Sequence, residues 1–522
     1  MSAGVGIEAS EAVEDVTPPP EATTEATTGE STTGAPPGDE PPGHESPADE
    51  PPADEPPADE SPIAAPAANA KGPSVIRRAA NRVARATAST TADRCATVAM
   101  AALVGYLFWL PVFSLHTGIA VTFTVYGIFA AVGVLRLPGA RWRGAGIVAV
   151  AALPWLAWAL MWPTWSAWAP ELRLVRAEAL ALLSCGMITL SAVVLAQGRR
   201  PGVEMHRRIW LLLGAMSVPI GLWEIVTHDH LFPGPWAPPP WSPAATFGNP
   251  NNFAGVLVVV YGLTLLRLTE RINRVSRLAL AALAVATLVV MLATLSRAAV
   301  AAALLLTVAA TVLELHRRAV LPAPRHGRRA LTVAAGGILA LLASLTIPAV
   351  ARVNPLAAFL LPAEEETVAA DDLRLALARQ GLEMWREQPW IGIGGARFEP
   401  LLSERGFERI IPMHNGFLEI LTEYGLVVFV PLALWLVALA WHLLPRRNLR
   451  TPGLQAGRPR GLDAVGARFA IFVWLTGFAV FGSITSSPVR SPFWYLMAGS
   501  ATAAVWWLRS RRPSAPKPGR PS

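Results

Sequence analysis

Apolar stretches long enough to cross a bilayer recur along most of the chain, at 95–115, 117–137, 144–162, 177–196, 209–227, 251–268, 278–295, 298–315, 330–350, 416–444, 467–485 and 493–508. Each is nearly free of charge and close to the roughly 17–25 residues that a spanning helix needs. The pattern predicts an all-α polytopic membrane protein with about twelve transmembrane helices. The run at 416–444 is long enough to begin as an outer helix before entering the membrane. Residues 351–415 break the pattern as the one long polar stretch inside the body, and the spacing predicts a helix over 371–388 within it.

Charge gives the orientation. With the N-terminus in the cytoplasm, the inner connections and C-terminal tail hold 27 Arg and Lys, against four arginines in the short outer connections (Arg173, Arg176, Arg297 and Arg490). The positive-inside rule then puts both termini in the cytoplasm and the 351–415 loop on the external or periplasmic face. Trp162, Trp165 and Trp168 read as interfacial belt residues. The Pro-rich segment 232–243 reads as a rigid cover.

Residues 1–94 read as a separate tail. Residues 1–70 contain 16 acidic residues, no Lys or Arg, and tandem PPADE units, a composition that predicts disorder. Residues 71–94 are basic and suit anionic lipid heads. The transmembrane domain spans 95–508, and 509–522 is a basic cytoplasmic tail. Arginines between apolar spans argue for membrane lipids rather than nucleic acid as their partners. Cys95 and Cys185 both fall inside apolar runs and read as small buried hydrophobes.

Candidate chemistry gathers on the outer side. Arg297, in the LSRAA segment 295–299, sits at membrane depth with no acid nearby in sequence, which invites an anionic ligand. Arg374 is the least compensated arginine of the loop helix and shares a flank with Trp385. His414, just before a helix, has the side chain best suited to exchange a proton near neutral pH. Glycines of the PWIGIGG turn, Gly392 and Gly394 among them, permit unusual backbone angles and close approach of a ligand. Asn249, Asn251 and Asn415 stand at helix starts, where they can cap or line a pocket. His228-Asp229-His230 and the acids at Glu364–Glu366 with Asp371 and Asp372 lack the spacing of a known metal site, so no metal or other cofactor is expected.

Taken together, GNPNNFA (248–254), LSRAA (295–299), the Arg374-to-Trp385 helix, PWIGIGG (389–395) and MHNGFLEILTEYGL (413–426) resemble the O-antigen ligase and polymerase superfamily of bacterial integral-membrane glycosyltransferases. The resemblance covers about 95–508. It implies a plasma-membrane enzyme whose donor is a glycan on polyprenyl (undecaprenyl) diphosphate and whose acceptor is a hydroxyl of a glycan, lipid or protein. It also implies that Arg297, Arg374 and His414 are functionally important. The chemistry agrees, since two guanidiniums suit the diphosphate and the imidazole suits a catalytic base for the acceptor hydroxyl. A polymerase of lipid-linked repeat units shares this donor chemistry. A flippase or transporter of lipid-linked glycans is the alternative outside the enzyme class, but it favours internal repeats and midplane charges, and neither is evident.

Overall fold

The computed structural model describes residues 140–168, 172–232, 242–319, 365–407, 412–444, 459, 461–485 and 488–511, with isolated positions between 94 and 132. Among the described residues the chain is all helical, with eleven α-helices and no strand. These are α1 (Gly146–Trp168), α2 (Leu172–Ala196), α3 (Arg200–Thr227), α4 (Pro250–Leu268), α5 (Arg274–Ala293) and α6 (Arg297–Ala319). After them come α7 (Glu365–Glu387), the short α8 (Phe398–Glu404), α9 (Gly416–Ala440), α10 (Ala464–Ile484) and α11 (Pro492–Ser510). Eight of them, all except α7, α8 and α11, are long and apolar enough to cross a membrane. The expected spans at 95–115, 117–137 and 330–350 lie outside the described residues or touch them only at isolated positions, as does Cys95.

Local chemistry sets several helix starts. Asn249, Asn273 and Asp463 cap α4, α5 and α10, each side chain accepting a backbone N–H at 2.7–2.8 Å. The loop helix α7 begins at Glu365, six residues before the expected start. Asp371 and Asp372 therefore stand in its second turn, and Glu365 and Glu366 take the N-terminal positions where acids suit the dipole.

The core is built around α4, α10 and α11. Every residue of α4 from Phe253 to Thr264 is buried, whereas α1 at the periphery buries few of its side chains. Every side chain from Phe493 to Trp507 of α11 is buried. Polar groups that enter this core include several cross-helix pairs. Buried His206 of α3 donates from Nε2 to the Ala192 carbonyl at 2.9 Å, which leaves Nδ1 to accept from Ser500 of α11 at 2.9 Å. Trp435 of α9 donates to Thr502 of α11 at 3.0 Å.

One end of the bundle is clamped by ion pairs. Buried Arg207 of α3 meets Glu204 and the fully buried Glu270, which also takes Arg267. Arg317, near the end of α6, pairs with Asp463 before α10 at 2.8 Å and donates to Thr269. Arginines that sequence reasoning counts only as orientation signals thus also tie the ends of α3, α4, α6 and α10. Removing Glu270 would leave Arg207 buried and partly uncompensated. Glu270→Ala is expected to destabilise the protein by about 3–5 kcal/mol, read as a lowered unfolding temperature of the detergent-solubilised protein.

Candidate active site

At the opposite end the polar loop docks into a break in α9. Gly425 has φ 62° and ψ −168°, so it cannot continue the helix. The break removes the two helical bonds that Leu426 and Val427 would make to Thr422 and Glu423. Instead, Leu426 and Val427 donate to the carbonyls of Pro389 and Trp390, both at 3.0 Å. The freed carbonyls of Thr422 and Glu423 accept from Ile393 (3.0 Å) and Gly394 (2.9 Å). The PWIGIGG turn therefore serves α9 rather than standing open. Gly392 has φ 69°, and a Cβ there would lie 2.5 Å from the Glu423 carbonyl. Trp165 of α1 secures the turn by donating to the Ile391 carbonyl at 2.7 Å. It is buried against Tyr424, which corrects its reading as an interfacial belt residue.

The start of α9 fixes His414. Asn415 caps the helix, its Oδ1 accepting from Phe417 and Leu418 at 3.1 Å each. His414, half-buried, immediately precedes that cap. Burial, and after it the positive charge of Arg374 on α7, lower its pKa from 6.5. The structure thus brings Arg374 and His414 into one electrostatic environment. Arg297 stands at the same end of the bundle, since the other end of α6 meets the start of α10 through Arg317 and Asp463. It follows a strained turn in which Leu295 has φ 55° and the buried Ser296 hydroxyl has no hydrogen-bond partner. A non-glycine residue in that conformation costs about 1–3 kcal/mol and is characteristic of functional sites.

Below His414 lies a group of charges that sequence reasoning did not assemble. Glu178 of α2 and Glu419 and Glu423 of α9 are all buried. Arg490, in a short turn between α10 and α11, pairs with Glu178. Glu178 also accepts from the Tyr424 hydroxyl at 3.0 Å, and Glu423 accepts from Phe398 N–H at 3.3 Å. Burial opposes the charge on Arg490, but Glu178, Glu423 and Glu419 outweigh it and raise its pKa further. A narrow cleft lined by Glu399, Glu419, Glu423 and Arg490 with Phe398 and Met413 opens beside this group. One oxygen of Glu419 and one of Glu423 are buried without a hydrogen-bond partner. The available signals were an i,i+4 pair of acids inside an apolar span, an acid in another, and an outer arginine placed against the charge bias.

The remaining candidates have structural partners or neighbours. Asn249 caps α4 by accepting from Asn251, and both are half-buried. The orphan polar atoms nearby along the chain are Thr246 Oγ1 and Asn252 Oδ1. Trp385 donates to the Pro389 carbonyl at 3.1 Å, holding α7 to the glycine turn. Glu224, near the end of α3, is buried and accepts from Ala244 and Ala245 N–H at 2.8 Å each. His230 approaches it at 3.5 Å. Among the described residues no group of three or more His, Cys, Asp or Glu is arranged to hold a metal. Glu364 and the side chains of Glu365, Glu366, Asp371 and Asp372 lie outside them.

A family profile described as O-antigen ligase matches residues 282–433. The match takes in Arg297, Arg374, the glycine turn and His414, and leaves out Glu178 and Arg490. Comparison with curated proteins gave no match.

The glycine turn makes a direct stability test. Gly392→Ala forces a left-handed alanine into the backbone of α9 and is expected to cost about 2–5 kcal/mol. Gly406→Ala is the control: it also has a positive φ (85°) but no atom near its added Cβ. It should cost about 1 kcal/mol. Comparable unfolding temperatures for the two variants would contradict the docking described.

Proposed function

We propose, given that the chain belongs to the O-antigen ligase and polymerase superfamily, that this multi-pass membrane protein is a glycosyltransferase. It takes a glycan from polyprenyl diphosphate and transfers it to an acceptor hydroxyl at the outer face of the bacterial plasma membrane. The observation that carries this reading is the half-buried His414 at the capped start of α9, within the electrostatic reach of Arg374. His414 is half-buried beside a guanidinium, so its imidazole stays neutral at neutral pH and can accept a proton. A nearby cation suits an anionic substrate group.

In the proposed reaction His414 removes the acceptor hydroxyl proton as that oxygen attacks the anomeric carbon. The bond from that carbon to the diphosphate oxygen breaks, and polyprenyl diphosphate leaves with the electron pair. Arg297 and Arg374 bind the diphosphate through charge-assisted, often bidentate, hydrogen bonds and stabilise the charge that builds up on it. A single displacement inverts the anomeric configuration. The diphosphate is a stable leaving anion, so this scheme calls for no separate general acid. A second lipid-linked repeat unit as acceptor would make the same machinery a polymerase.

The test is purified protein in vesicles with a polyprenyl-diphosphate glycan and a panel of acceptors, with products weighed by mass spectrometry. His414→Ala is expected to lower the rate by about 10²–10⁴-fold. Movement of intact lipid without glycan transfer would point instead to a flippase. The pH profile adds a signed prediction. The base works when neutral, and its pKa lies below 6.5, so activity falls only as pH drops through that lowered value. Arg374→Gln removes a positive charge that depresses this pKa. Besides slowing transfer, it should move the acid limb up towards 6.5, whereas an unmoved limb would separate Arg374 from His414.

A further inference from the structure

We propose that Arg490 is a positioning residue for His414, acting through the outer start of α9. This inference rests on the reading of His414 as the base. Two contacts carry it. Pro488 packs directly on Gly416, two residues after His414, so closely that a side chain at 416 has no room. Arg490, at the end of the same turn, pairs with Glu178 of α2, which in turn holds the Tyr424 hydroxyl at 3.0 Å. The turn is itself fixed, with Ser491 N–H donating to the Pro488 carbonyl at 2.9 Å. Phe417 adds an apolar anchor, its ring 5.6 Å from that of Trp494.

The charges decide what the guanidinium does. Facing it are Glu178 from α2, Glu419, Glu423 and Tyr424 from α9, and Glu399 from α8 across the cleft. Cys185 of α2 and Tyr495 of α11 lie in the same field. Arg490 is the cation that acts on all three buried carboxylates, Glu178, Glu419 and Glu423. Without it, ionised carboxylates on α2 and α9 repel one another. The outer start of α9, and His414 with it, then moves away from the position held by the Pro488 contact.

The experiment uses the full chain in nanodiscs with the Arg490→Gln and Arg490→Lys variants and the double variant Glu178→Gln/Arg490→Gln. Arg490→Gln is expected to lower kcat by about 10²-fold through misplacement of the base, with the KM for the donor lipid little changed. Arg490→Lys and the double variant should each recover most of the loss. Wild-type kcat in Arg490→Gln would overturn the proposal, as would a loss that neither companion variant recovers. Unfolding temperature, which reads no transfer, supplies an independent arm. It should be lower in Arg490→Gln than in the wild type and rise again in the double variant, and absence of that rise would sink the charge argument. Absence of transfer by the wild type would count against the proposed function and leave this arm standing.

Discussion

Inside an apolar bundle every backbone N–H and C=O needs a partner, because no water is there to replace one. The break at Gly425 takes two bonds out of α9, and the 389–394 turn returns four. Each buried group left unmet would cost about 1–3 kcal/mol, so helix and turn are one structural unit. That constraint accounts for most of what surrounds it. The turn must have glycine at 392 to reach the helix backbone, α7 must deliver the turn, and Trp165 must cross from α1 to hold it. The start of α9, with His414 before it, inherits its place from this joint.

Charge is distributed with equal economy. At one end of the bundle arginines match their acids in number, with Arg207, Arg267 and Arg317 set against Glu204, Glu270 and Asp463. At the site end, buried acids outnumber the one guanidinium that reaches all of them, and oxygens of Glu419 and Glu423 stay unmet. A charge-matched network stabilises a fold, whereas an excess of buried acid beside a half-buried histidine fits a place of chemistry.

Much of the architecture was legible in the sequence because hydrophobic length and helix caps are local signals. The runs at 144–162 and 251–268 became α1 and α4 with ends shifted by a few residues. Asn249 and Asn415 sit at helix starts where their side chains accept backbone donors. What the sequence hid was non-local. Glu178, Glu423 and Arg490 are hundreds of residues apart at their extremes, and nothing in any one segment announces the others. Trp165 looked interfacial because tryptophan near a span end usually is, and the distant Ile391 and Tyr424 are what enclose it. The acid run before Arg374 misled for a local reason, because two sets of acids compete for the start of α7 and the earlier one takes it.

The ion-pair clamp has a mechanical consequence. Helices α3, α4 and α6 are bound together at their arginine-rich ends, while towards the site they carry the unmet polar atoms of Thr246, Asn252 and Ser296. Arg297 stands at the far end of α6 from the Arg317 clamp, while His414 is mounted on the braced joint of α9. The two halves of the proposed site thus hang from separate anchors, and the span between them is set by both at once.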